Sequence, residues 1–144
     1  MTGHDFLPLA KRLATGATEV EWRTSVGRSY YAAFHVARQF FQDLRFRVPY
    51  ADQAHRYLWL RLSNCGDGSV ELAGASLNDL RRHRNRADYE LNRPFLQSLA
   101  QSQLIEAERI INTLDGLIPA ARTQITDAMK VYERDVLGDV TWQP

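Results

Sequence analysis

Leu80-Arg81-Arg82-His83-Arg84-Asn85-Arg86-Ala87-Asp88-Tyr89 packs four arginines and a histidine into the six positions 81 to 86. Each guanidinium presents a planar fork of donors that matches phosphate oxygens, and like charges this crowded repel unless an anion or carboxylates offset them. The chemistry this spacing suits is contact with a phosphate backbone through Arg81, Arg82, Arg84 and Arg86. A plainer explanation competes with it. Arginines near a helix C-terminus complement the negative end of the helix dipole, and Arg84 with Asp88 forms an i, i+4 pair worth under ~1 kcal/mol. Elsewhere the sequence carries no phosphate-binding glycine loop, no His-Glu-x-x-His, no Gly-x-Ser-x-Gly and no closely spaced acid triad, which disfavours most enzyme classes.

Other residues invite weaker readings. Arg28, with Arg23, Arg38 and Arg45 on the same predicted helix, extends the positive charge and is a candidate phosphate contact. His35, between Phe34 and Val36, reads as an interior hydrogen-bonded histidine, and His55 as a residue near a helix cap. Tyr30, Tyr31 and Phe34 sit at core spacing, which argues against a base-stacking platform. The single Cys65 forms no disulfide framework and no four-ligand zinc site, so neither metal nor cofactor is expected.

The elements that must hold these residues follow from composition and periodicity. At 144 residues, 44% hydrophobic and 24% charged, with 5 Pro and 8 Gly, the chain is expected to fold as one globular domain. The net charge of +1 hides an uneven distribution: residues 23 to 61 sum to +5, residues 81 to 93 to +3, and residues 101 to 144 to −3. Sixteen of the 18 basic residues are arginine, a bias that phosphate recognition and a GC-rich genome explain equally well. A first helix is predicted from Asp5, as N-cap, to Gly16. Thr18-Glu19-Val20-Glu21 reads as a capping box that opens a long helix, whose apolar stripe Trp22, Val26, Tyr30, Phe34, Ala37, Phe41 and Leu44 predicts helix from Thr18 to about Phe46. A third helix runs from Asp52 to Asn64, ended by Gly66-Asp67-Gly68-Ser69. A fourth starts near Ser69 or Ser76 and stops before Pro94. Residues 95 to 136 give two helices or one bent helix, with a break at Gly116 and Pro119. The prediction is an all-α, up-and-down bundle of five or six helices in a single domain, 1–144, with 119–144 as a C-terminal helical extension. No leader-like or membrane-spanning run is present, so a cytoplasmic protein without membrane contact is expected.

Two stretches resemble the HEPN superfamily of nucleotide-binding helical domains. Gly27-Arg28-Ser29-Tyr30-Tyr31-Ala32-Ala33-Phe34-His35-Val36-Ala37 is similar to the Tyr-Tyr-Ala-x-Phe-His signature of its small bacterial and archaeal members, and Leu80 to Tyr89 to their Leu-Arg-x-x-Arg-x-x-Ala-Asp-Tyr segment. Ala54-His55 falls where that group often has a Thr-His or similar pair. The resemblance spans residues 6 to 115. It implies a helical bundle, a two-fold homodimer with the Arg81 to Tyr89 segments facing across a basic groove, and a nucleotidyltransferase partner encoded nearby in a toxin and antitoxin pair. Many members are metal-independent ribonucleases with an arginine, a following polar residue and a histidine as signature, in which the arginine stabilises charge and the histidine moves the proton.

Carried onto this chain, that pattern assigns Arg84 and Asn85, with Tyr89 where the histidine would stand. Tyrosine, with a reference pKa of ~10, is a poor base at neutral pH. On one straight helix Arg84 and Tyr89 also lie ~140° apart, at ~100° per residue. His83 is the alternative proton carrier. Two functions are therefore expected as alternatives: an RNA-acting toxin or toxin-like component of a toxin and antitoxin or defence operon, or a non-catalytic HEPN module that binds a nucleotide, RNA or a partner nucleotidyltransferase. Whether the protein is an enzyme stays open.

Overall fold

The computed structural model describes every residue from Met1 to Pro144. A 3₁₀ turn, Gly3–Phe6, runs into α1 (Leu7–Ala14), followed by α2 (Glu19–Asp43), α3 (Gln53–Leu62), α4 (Gly68–Tyr89), α5 (Gln97–Asp115) and α6 (Pro119–Tyr132), with a π turn at Glu133–Leu137. The chain forms an all-α bundle of six helices, and its extended segments make only one isolated bridge, Phe46 to Trp142. Helix α2 lies at the centre, against α1, α3, α4 and α5. Its stripe buries Val26, Tyr30, Phe34, Ala37 and Phe41 as the spacing predicts. Around it Leu58, Leu62, Leu77, Leu80, Ile110, Leu114, Ile125 and Met129 fill the core.

Several ends differ from the prediction. Asp5 is not the first N-cap: Thr2 holds that place, and the Asp5 carboxylate accepts from the Thr2 amide at 2.7 Å. Thr18 caps α2 and accepts from the Glu21 amide at 3.4 Å, but its hydroxyl donates to Glu21 Oε1 at 2.6 Å, so the box closes between side chains. Helix α2 ends at Asp43 instead of Phe46, because Arg45 turns to φ 73° and Phe46 is drawn to the C-terminal segment. Helix α4 starts at Gly68, capped by the Asp67 carboxylate on the Val70 amide at 3.1 Å, ahead of both predicted starts.

One turn positions the site. Gly66, at φ 81°, takes a left-handed conformation and folds α3 back along α4. Gly74 then lets the helices touch, since a Cβ there would lie 2.5 Å from the Ser63 amide nitrogen and 2.8 Å from Leu62 Cβ. In this antiparallel pair, His55 lies two turns back from Leu62 and arrives opposite Arg81 and Arg84, which lie two to three turns on from Gly74.

Candidate functional site

Where α3 and α4 diverge, a pocket of about 370 Å³ is lined by Asp52, His55, Arg56 and Trp59 from α3 and by Arg81, Arg84 and Asn85 from α4. Three arginines thus face one carboxylate. Arg84 is the most constrained of them. Its Nη2 donates to the Tyr31 hydroxyl at 2.5 Å and its Nη1 to Asn85 Oδ1 at 2.8 Å, while the guanidinium carbon lies 5.2 Å from the Tyr31 ring centre. Its Nε is buried without a hydrogen-bond partner, and the nearest carboxylate oxygen, on Asp88, stands 3.7 Å away. Arg81 rests on Asn78 Oδ1 through Nε and Nη2, at 3.2 and 3.0 Å. The fold therefore aims two guanidiniums at the cavity whose hydrogen-bond partners are neutral side chains, with Asp88 as a longer ion-pair partner of Arg84 at 3.7 Å, which suits an incoming phosphate.

Beneath the pocket, His55 Nδ1 and the Tyr30 hydroxyl oxygen are 2.5 Å apart. Tyr30 is fully buried. That burial, with Tyr31 beside it, pushes the Tyr30 hydroxyl well above its ordinary pKa against the opposing pull of Arg84 and Arg81, so it stays protonated. His55 is shifted the other way, below its usual range, by burial first and then by Arg84 and Arg81, with Asp52 opposing. The imidazole is neutral at pH 7. The pocket thus combines guanidinium groups with a neutral imidazole ring.

Of the residues singled out in the sequence, Arg81, Arg84 and Asn85 come together here. Tyr89 does not join them: it closes α4 with 77% of its surface exposed. His83 faces a smaller pocket of about 170 Å³ with Arg23, Arg86, Glu90, Arg93 and Phe95 among its walls. Arg82 is exposed and stands 3.6 Å from Asp79. Arg28 lies 5.5 Å from the ring centres of both Phe6 and Tyr31. Arg23, counted in the sequence as phosphate-track charge, is instead a buried clamp: it donates to the carbonyls of Ala87 at 2.9 Å, Glu90 at 3.3 Å and Arg93 at 2.6 Å, and to Glu19 at 3.0 Å. It ties off the end of α4 and has no donors to spare for RNA.

The sequence reading missed Arg56, Trp59 and the role of Tyr31, and it treated His55 as a cap residue. His55 and Trp59 are one turn apart, so they share a face, but nothing local shows that this face meets the arginines of α4. A larger cavity, about 490 Å³, opens beside the N-terminal turn, where Arg38 and Arg122 are offset by Asp43 and Asp115. No three His, Cys, Asp or Glu side chains cluster as metal ligands, and no helix is long and apolar enough to cross a membrane.

The chain is similar to an uncharacterized protein of the archaeon Methanocaldococcus jannaschii, with 26% identity over 155 aligned residues that cover 90% of this chain and 85% of the relative. No family model matches the chain. No solved structure matches it either.

Proposed function

We propose that the protein is a HEPN-type RNA-acting protein that seats an RNA phosphate in the pocket between α3 and α4, in the role of a toxin or toxin-like component with a nucleotidyltransferase encoded nearby as partner. The observation that carries this reading is Arg84, held by Tyr31 and Asn85 with its Nε lacking a hydrogen bond and Asp88 3.7 Å from it, in a cavity where Arg81 and Arg56 add charge and Asp52 is the one lining carboxylate. A guanidinium placed in this way gains a charge-assisted bond when a phosphate arrives, and counterions released from the RNA add to the affinity. Trp59 supplies an aromatic surface at the same cavity for a neighbouring base.

The test is fluorescence anisotropy with a labelled single-stranded RNA across a salt series. Affinity should fall steeply as salt rises, and Arg84→Ala should weaken binding and flatten the salt dependence by about one charge. Equal binding by wild type and Arg84→Ala would discard the reading. A second reading, a HEPN module that binds RNA or a nucleotide without cleaving it, is favoured by the exposure of Tyr89 at the position where the family pattern has a histidine.

A further inference from the structure

We propose that the cavity of about 490 Å³ beside the N-terminal turn binds a small organic carboxylate with an aromatic body, whose carboxylate is anchored by Arg38 and Arg122. This cavity shares no lining residue with the pocket between α3 and α4, so its ligand does not depend on RNA binding.

Close packing builds the walls. Gly3 lies directly against the backbone of α2, where a Cβ would come 2.6 Å from the Ala32 carbonyl oxygen and 2.9 Å from the Val36 nitrogen, so a larger residue would lift the turn away. The turn is tied down at a second point, since His4 Nε2 and Asp115 Oδ2, at the end of α5, are 2.7 Å apart. Phe6 stacks on His35, with ring centres 5.6 Å apart and planes 10° from parallel. Val36, Phe40 and Leu114, all buried, add apolar lining. A flat ring thus finds aromatic and aliphatic surface to lie against, in a volume within the ~300 to 1,000 Å³ typical of small-molecule sites.

The polar groups decide the charge of the ligand. Two arginines and two carboxylates line the cavity, Arg38 and Asp43 from α2, Asp115 from α5 and Arg122 from α6. His35 adds no charge, its pKa being lowered by burial and then by Arg38 and Arg28. Both carboxylates are exposed and already engaged: Asp115 meets His4, and Asp43 accepts from the Gln39 side-chain amide at 2.8 Å. The guanidiniums are half-buried and poorly matched. Arg38 lies 4.8 Å from the Tyr50 ring centre, and its Nη2 is buried with no hydrogen-bond partner. Arg122 lies 5.3 Å from the Phe40 ring centre, and its Nη2 reaches only the Leu114 carbonyl, at 3.4 Å. A donor held out of water without an acceptor gains most from a charged oxygen, and a carboxylate offers two such oxygens to one guanidinium fork. An anion therefore fills a need that a cation, with only the engaged and solvated carboxylates to meet, does not.

The experiment titrates the full chain with naphthalene-2-acetate, its neutral amide, 2-naphthylethylamine and inorganic phosphate, read by isothermal calorimetry and confirmed by saturation-transfer NMR. Naphthalene-2-acetate should bind one to one with a Kd of ~1 mM or tighter, the order expected for a ligand of ~14 heavy atoms. The amide and the amine, which lack the carboxylate, and phosphate, which lacks the ring, should each bind at least about ten-fold more weakly. Arg38→Gln and Arg122→Gln should each weaken the acid about ten-fold, while Arg109→Gln, on an exposed part of α5 away from the cavity, should stay within about two-fold. Gln39→Trp, at the exposed rim, should obstruct the cavity without altering either guanidinium and weaken the acid at least about ten-fold, with circular dichroism checking the fold of every variant. No binding of the acid, equal binding of acid and amide, or phosphate binding as tightly as the acid overturns the proposal. Affinity that survives in folded Arg38→Gln and Gln39→Trp places the acid elsewhere and overturns it as well.

Discussion

Arg61 and Arg84 are both drawn towards the interior of the bundle, and the fold completes one and leaves the other open. The Arg61 side chain is 4% exposed and pairs at 2.9 Å with Glu133, whose side chain is fully buried. Every remaining capacity of that carboxylate is taken: Oε1 accepts from the amides of Thr141 and Trp142 at 2.9 and 3.3 Å, and Oε2 accepts from the Thr141 hydroxyl at 2.5 Å. The Arg61 guanidinium also lies 3.6 Å from the Tyr57 ring centre and reaches Asp139 at 3.4 Å. This pair straps the C-terminal segment across the bundle, where the Arg47 amide donates to the Thr141 carbonyl at 2.9 Å. Arg84, by contrast, keeps a buried Nε without a hydrogen-bond acceptor, has only the half-exposed Asp88 carboxylate at 3.7 Å as counter-charge, and stands beside a second arginine and a neutral imidazole. A charge completed inside the protein is architecture. A charge left incomplete at a cavity is available to a ligand.

The comparison breaks most visibly at Glu133. Its replacement by alanine strands the Arg61 charge in the interior, with an expected cost of about 3 to 5 kcal/mol, read from urea unfolding. Arg61→Met with Glu133→Leu removes both charges and should recover most of the loss, since apolar replacement of a buried pair is often close to neutral. RNA affinity of either variant, measured where it is folded, should match wild type. Arg84→Ala should behave in the opposite manner. Its RNA affinity should drop ten-fold or more, about 1.4 kcal/mol per factor of ten, with the urea midpoint nearly unmoved because like-charge crowding is relieved as contacts are lost. A large stability loss in Arg84→Ala, or a binding loss in Glu133→Ala, would erase the distinction.

A smaller effect follows from pH. His35, His55 and His83 are all pushed below the ordinary histidine pKa, each by burial first, and then by Arg38 and Arg28, by Arg84, and by Arg86 respectively. A depressed folded-state value means that the unfolded chain binds protons more readily between that value and ~6.5. Stability from these rings is therefore present above ~6.5 and lost as pH falls below it. Thermal melts should drop between pH 7.5 and 5.5, and His83→Gln should soften the drop without touching the α3 and α4 pocket. Melts that rise on acidification would show the sign to be wrong.

The fold was largely legible in the sequence, because a bundle writes itself in periodicity: the stripe from Val26 to Phe41 named the central helix and its buried face before any packing was known. The site was half legible. Arginine density pointed to Arg81 and Arg84, and the HEPN resemblance to Asn85, all three of which share the pocket. The other wall was not readable, because His55, Arg56 and Trp59 belong to it only through the close approach of α3 to α4 at Gly74, a long-range event with no local signature. Arg23 misled for the same reason, since its carbonyl partners lie more than sixty residues away in sequence. The Arg61 and Glu133 strap was equally hidden, both residues looking like ordinary surface charges until the C-terminal turn is folded over α3.

The smallest expected effect is the one that separates geometry from motif. Tyr89 stands where the HEPN pattern places its histidine, and a motif reading makes it the pivotal position. Its side chain is 77% exposed at the last residue of α4, and it lines neither the pocket of Arg84 nor that of His83. Tyr89→Phe should therefore leave RNA affinity within about two-fold, since one solvated hydroxyl releases no counterions. Tyr89→His should change RNA affinity no more than that and confer no cleavage, because on a straight helix a side chain ~140° around the axis from Arg84 cannot reach the same phosphate. The exception is a two-fold dimer in which Tyr89 of one protomer enters the pocket of the other. In that case Tyr89→His would raise cleavage, and the gain would vanish on dilution below the dimer dissociation constant fixed by sedimentation equilibrium. RNA affinity and cleavage in Tyr89→His that match the parent at every concentration would keep Tyr89 out of the phosphate contact of either protomer.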